Sequence, residues 1–172
     1  MFKIKQFIFI NILFSLFSLT QAKEPFLAIL TKTESNEIQI FRFSSYTITC
    51  SPYGVTSLEK LYFNSKDGSS CKKSIELFYR KNPQAEYYWA NKLKVMQMYH
   101  IEIKPKSCVV HVDGLKTYSE LLLENGLAIK KPFFDDYEYN AVFTKAQKKA
   151  KNLKIGFWSE QLFNDCIAES YK

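Results

Sequence analysis

Apolar and polar positions change period several times along the chain. Residues 26–32 (FLAILTK) and 38–43 (IQIFRF) are dense in apolar and β-branched side chains. The polar break Glu34-Ser35-Asn36-Glu37 between them predicts a hairpin. Residues 46–50 (YTITC) alternate and predict a third strand, ended by Pro52 and Gly54. Asn82-Pro83 supplies an N-cap and a first helical residue, and Ala85, Trp89, Leu93 and Met96 then recur at helical spacing. They predict one helix ending near Met96. Tyr99, Ile101 and Ile103 alternate with His100, Glu102 and Lys104, as in a half-buried strand; residues 108–112 (CVVHV) predict its neighbour, and Asp113-Gly114 a turn. Thr117-x-x-Glu120 is a capping box for a short helix through Leu121–Leu123, closed by Asn125-Gly126. Ala128 and Ile129 begin an extended segment that stops at Pro132. A last helix is predicted over 137–153, with Val142, Ala146, Ala150 and Leu153 as its apolar line and Lys145, Lys148, Lys149 and Lys151 away from it.

Residues 53–81 carry little periodicity: a turn-rich NSKDGSSCKKS run and a short helix near 73–80. The order of elements predicts an α+β, strand-rich fold, a five-stranded OB-type barrel with about three packed helices. No internal repeat or second hydrophobic unit is visible. Residues 23–172 are expected to form one domain, with 53–81 as an insert and 161–172 as a C-terminal tail.

The front of the chain is different. Lys3 and Lys5 precede the apolar run Phe7–Leu19, and Thr20-Gln21-Ala22 offers a small residue at a cut. This predicts a signal peptide over residues 1–22 and an exported product, periplasmic or secreted. No later stretch is long and apolar enough to predict a transmembrane segment.

Charge narrows the partners. The chain carries +7, or +5 without Lys3 and Lys5, which favours anionic partners such as nucleic acid or an acidic polymer over plain solubility only weakly. Arg42 and Arg80 are its two arginines; the rest of the positive charge is lysine, a point charge without the planar fork that clamps phosphate. Cys50, Cys71, Cys108 and Cys166 all follow the expected cut, and in an oxidising compartment they allow two disulfides in any of three pairings. Their spacings of 21, 37 and 58 do not resemble paired zinc knuckles.

Two motifs carry a family resemblance. Residues 119–129 (SELLLENGLAI) resemble the Asn-Glu-x-Leu-Val-x-x-Gly-Leu-Ala segment of staphylococcal-nuclease-like (thermonuclease-like) domains, and 142–160 (VFTKAQKKAKNLKIGFWSE) resemble their final helix and Gly-x-Trp-Ser end. The resemblance implies an OB-type barrel with that helix packed across it and Trp158 in the core. It also implies a calcium-dependent nuclease. Such a site needs two aspartates for a hard cation, a glutamate to activate water and two arginines to neutralise the phosphoryl oxygens. Carried over position by position, these groups fall on Asn36, Cys50, Tyr53, Ser45 and Lys106, and none matches. Arg42 lies three residues too early.

The resemblance therefore implies a thermonuclease-like protein with a degenerate site, expected to bind a nucleic acid or a protein partner and to need no cofactor. The alternative is an active metal-dependent endonuclease with rearranged ligands, requiring Ca2+ and drawing on acids such as Asp67 or Glu76 from the insert. Nucleic-acid-binding candidates are Lys104, Lys106, Lys130, Lys131, Phe133 and Phe134, since basic residues beside rings suit single strands. The competing expectation for the two phenylalanines is packing beneath the last helix. His100 with Glu102, and His111 with Asp113, are possible acid/base pairs, although outward strand positions explain them as well. The family position of Cys50 suggests pairing with Cys108 across the barrel, leaving Cys71 for Cys166; Cys50–Cys71 with Cys108–Cys166 remains open.

Overall fold

Alternating apolar side chains draw the first strands into an antiparallel meander. In the computed structural model, which describes residues 25–114 and 116–170, these are β1 (Phe26–Thr33), β2 (Gln39–Phe43) and β3 (Tyr46–Cys50). The expected leader, residues 1–22, lies outside the described residues. β4 (Val55–Ser57) leads into α1 (Leu58–Asn64) and α2 (Ser70–Lys81), then α3 (Pro83–Glu86) and α4 (Tyr88–Lys92). β5 (Met98–Lys104), β6 (Ser107–Asp113) and β7 (Lys116–Thr117) follow, then α5 (Tyr118–Glu124) and β8 (Ala128–Lys130). The chain ends with α6 (Asn140–Leu153), a 3-10 turn at Gly156–Trp158 and α7 (Glu160–Ser170).

The main sheet has six strands in the order β3-β2-β1-β5-β6-β7, and β4 pairs with β8 in a second, two-stranded sheet. The five strands and about three helices expected from the sequence are thus corrected to eight strands and seven α-helices among the described residues. The end of β3 reaches back to β6. Cys108 N–H donates to Ser51 O at 2.9 Å and Tyr53 N–H to Cys108 O at 3.2 Å. Leu30, Phe41, Ile101 and Val109 from the sheet, Leu122 and Leu123 from α5 and Phe143 from α6 are fully buried in one core.

The insert is more ordered than its sequence suggests. Ser57 and Ser69 each accept the backbone N–H three residues on, from Lys60 and Lys72, and so start α1 and α2. Within the C-terminal tail, residues 161–170 are helix. Cys166 of α7 pairs with Cys71 of α2 at 2.00 Å, and Ser74 donates a short hydrogen bond to Asp165 beside it.

The last long helix starts later than predicted, and its buried face is Phe143, Ala146 and Ala150. Val142 is 39% exposed and Leu153 60%, so the apolar face is turned by one residue from the expected line. Phe143 sets the rotation because its ring stacks on Phe134 and leans on Tyr139. The small Ala146 and Ala150 allow close approach, and Lys145, Lys148, Lys149 and Lys151 face solvent.

Beyond α6 the chain is fixed by two glycines with positive φ. A Cβ on Gly126 would lie 2.3 Å from Ile155 O, and one on Gly156 2.2 Å from Gly126 O. Phe157 N–H donates to Gly126 O at 2.8 Å. Phe157 is the fully buried ring at this joint. Trp158, expected in the core, is half-buried, with Lys151 Nζ 4.2 Å from its ring centroid.

Candidate functional site

Asn36, the residue on which the sequence resemblance puts a metal-binding aspartate, sits in the turn between β1 and β2. Its side chain is 1% exposed and fully committed to protein groups. Nδ2 donates to Ala85 O at 2.9 Å and Glu86 O at 3.0 Å, while Oδ1 accepts Trp89 N–H and the Tyr118 hydroxyl, each at 3.0 Å. The Asn36 amide thereby enters the gap between Ala85 O and Trp89 N, which a continuous helix would bridge directly. The single helix expected to run to Met96 is accordingly split into α3 and α4, and Met96 is 70% exposed in a left-handed conformation. Glu59 holds the same turn from below: its two oxygens accept Asn36 N–H at 3.1 Å and Glu37 N–H at 3.0 Å. Burial raises the Glu59 carboxyl above its ordinary value, with the amide hydrogen bonds opposing.

Cys50, which the resemblance would align with a second aspartate, is bonded to Cys108 with S–S 2.06 Å and Cα–Cα 5.2 Å. Both sulfurs are buried in the core. The disulfide joins the end of β3 to the start of β6, where Tyr53 N–H also meets Cys108 O. Tyr53, which the resemblance would align with a glutamate, turns its hydroxyl to donate to Asp136 Oδ2 at 2.8 Å. Burial and then this hydrogen bond push its pKa up to about 12, so it remains a neutral phenol at physiological pH. Ser45 and Lys106, which the resemblance would align with two arginines, are exposed on the β2–β3 and β5–β6 turns. The structure brings Cys50 and Tyr53 together, places Asn36 in a separate polar pocket and leaves Ser45 and Lys106 on the rim of the fold.

A second polar cluster surrounds Glu102. Its carboxylate accepts a short hydrogen bond from the Tyr139 hydroxyl, lies 2.9 Å from His111 Nε2 and forms an ion pair with Lys104 Nζ at 3.3 Å. Burial alone would raise the Glu102 pKa, but these partners outweigh it and hold the carboxyl below its ordinary range. Lys104 also lies over the Tyr53 and Tyr139 rings, 5.3 and 5.4 Å from their centroids. Of the two pairings considered, His100 does not meet Glu102; His111 does, and His100 takes the outward strand position that was the competing expectation. His100 is exposed on the strand directly opposite His111. The side chain of Asp113, the partner considered for His111, lies outside the described residues. The His111–Glu102 contact follows from strand geometry, since side chains on one sheet face also meet along the diagonal.

The remaining binding candidates divide. Lys130 Nζ donates to Asn140 Oδ1 at 2.6 Å and to Thr144 Oγ1 at 2.9 Å. Lys131 is half-buried, and burial lowers its pKa. Phe134 packs between Tyr53 and Phe143, as the core expectation had it, whereas Phe133 is 100% exposed and Tyr137 beside it 101%. Tyr137 was missed in the sequence because nothing in its spacing separates it from the buried Tyr139. Of the acids considered in the insert, Asp67 is exposed and paired with Lys72 at 2.6 Å, and Glu76 accepts the Tyr62 hydroxyl at 2.9 Å. Among the described residues, no three His, Cys, Asp or Glu side chains converge as a metal-binding group.

Comparison with known proteins places this geometry in context. No curated protein matches the chain. The family model described as staphylococcal nuclease homologue matches residues 103–160, from the end of β5 through α6 to the start of α7. The matched region includes both motifs that carry the resemblance and the joint at Gly156, so that over this third of the chain the protein is similar to staphylococcal nuclease homologues.

Proposed function

We propose that this is an exported thermonuclease-like domain that binds a nucleic acid without hydrolysing it. The observation that carries the proposal is the way the family's two aspartate positions are filled. Asn36 spends its whole amide on Ala85, Glu86, Trp89 and Tyr118, and Cys50 is bonded to Cys108. Neither position has a negative charge or a free oxygen donor left for a hard cation. Tyr53, in place of the water-activating glutamate, is a neutral phenol donating to Asp136. Loss of one acid/base group or one charge-stabilising donor costs ~10²–10⁴ in rate, so loss of several leaves no useful hydrolysis.

Binding is supported by a different set of residues. Phe133 and Tyr137 expose their rings completely on the loop before α6, and Lys106 and the outer lysines of α6 are free of the core. An exposed ring beside mobile positive charge suits a single strand, with stacking worth ~1–3 kcal/mol per base. Asp136 does not oppose this strongly, because it is engaged by Tyr53 and by the amides of Glu138 and Tyr139. Export is supported by the basic-then-apolar N-terminus and by two disulfides, which persist in oxidising compartments. No helix among the described residues is long and apolar enough to cross a membrane.

Titration of a fluorescent single-stranded oligonucleotide at two salt concentrations tests the binding arm. Affinity should fall steeply with salt as counterion release predicts, and Phe133→Ala should weaken it by about 1 kcal/mol or more. Salt-independent binding, or none, contradicts the nucleic-acid assignment and favours a protein partner.

A further inference from the structure

A cavity of about 460 Å³ opens between the β1–β2 turn, the α1–α2 insert and the α3–α4 pair. Its chemistry is opposite to that of the chain around it. Four carboxylates line it, Glu34, Glu59, Glu76 and Glu86, against the single guanidinium of Arg80, in a chain whose net charge is +7. The other walls are aromatic, including Phe63, Tyr87 and Trp89. Two of these rings are exposed well beyond what packing requires, Phe63 at 76% and Tyr87 at 56%. The carboxylate of Glu86 is exposed and makes no hydrogen bond or ion pair with any described residue.

From this arrangement we infer that the cavity is a binding site for an alkylammonium group, a primary amine carried on a flexible aliphatic chain. Carboxylates around a cavity repel anions, which separates this surface from the nucleic-acid reading above. They do not converge as a metal-binding group. Aromatic faces attract an organic cation through their quadrupole while covering its methylenes, and carboxylates at the margin accept its N–H donors. The protein already uses this chemistry on the same wall: Lys72, which does not line the cavity, lies 4.7 Å from the Tyr62 ring centroid, and that tyrosine donates to Glu76. The pocket is preformed. Trp89 is held by its N–H bond to Asn36, and Glu59 by the amides of Asn36 and Glu37. The inference does not depend on whether the domain cleaves nucleic acid.

A polyamine and the lysine side chain of a partner protein present the same group. Calorimetric titration of the full chain, disulfides intact, with spermidine, a capped tetralysine peptide and neutral 1,5-pentanediol separates them. Binding of spermidine or the peptide, with the diol silent, is the expected result. Tighter binding of the peptide identifies a protein lysine as the natural group, and tighter binding of spermidine a free polyamine. Glu86→Gln and Tyr87→Ala, both at exposed positions, should each weaken the amine roughly threefold to tenfold without unfolding the chain. Failure of both amines to bind, equal binding of the diol, or unchanged affinity in both variants overturns the assignment.

Discussion

Asn36 and Trp89 are joined by a hydrogen bond that substitutes for one turn of helix. The Trp89 N–H donates to Asn36 Oδ1 at 3.0 Å, while Ala85 O, its helical partner four residues back, receives Asn36 Nδ2 at 2.9 Å. The β1–β2 turn is thus tied to the segment between α2 and β5 by a group that must both donate and accept. An aspartate would satisfy Trp89 and Tyr118 but not the carbonyls of Ala85 and Glu86.

Asn36→Asp, which places the aspartate that the resemblance implies there, is therefore expected to destabilise the protein by about 2–5 kcal/mol, because it leaves two carbonyls without their donor and buries a charge. Urea denaturation reads this directly. A variant as stable as the parent, or one stabilised by calcium, would mean that the turn is built for a cation.

The Cys50–Cys108 bond closes a separation of 58 residues and Cys71–Cys166 one of 95. Replacing Cys50 and Cys108 together by serine should cost about 2–5 kcal/mol by freeing the unfolded chain and placing two hydroxyls in the core. Peptide mapping of the unreduced protein should recover both pairs, and a Cys50–Cys71 peptide would refute the topology.

Glu102 supplies the pH dependence. Its carboxyl is held below the ordinary glutamate range despite burial, by Tyr139, His111 and Lys104. The folded state therefore binds this proton less readily than the unfolded chain. The stability Glu102 contributes is present above the ordinary carboxylate value and is lost as pH falls through the depressed one. Glu102→Gln should lower stability by about 1–3 kcal/mol at pH 7 and flatten the acid limb of the stability profile. An acid limb identical to that of the parent would show that other carboxylates govern it.

Legibility of the sequence followed the range of the interactions involved. β1, β2, β3, β5 and β6 and the capped α5 were readable because alternation and the Thr117 box are local signals. Ser57 and Ser69 also carried usable local signals, as N-caps of α1 and α2, but the turn-rich run between them obscured the helices. The split between α3 and α4 was unreadable, because its cause is Asn36, about fifty residues away in sequence. The face of α6 was missed by one residue since Val142 and Phe143 fit the spacing equally, and only the stack on Phe134 chooses between them. At the candidate site, the substitutions at Asn36 and Cys50 were visible from the family resemblance. The saturation of Asn36 required the fold; the Cys50–Cys108 and Cys71–Cys166 pairs were one of the two pairings left open, and the fold chose between them. The acid-lined cavity was invisible, as Glu34, Glu59, Glu76 and Glu86 come from four separate segments.

The central claim is that the family's metal-binding positions now serve the protein's own structure. Digestion of plasmid and single-stranded DNA by the purified, disulfide-bonded chain, with calcium, magnesium or chelator, tests it most directly. The account predicts cleavage no greater with either metal than with chelator, at protein concentrations sufficient for oligonucleotide binding. Calcium-dependent cleavage that co-purifies with the chain would contradict it.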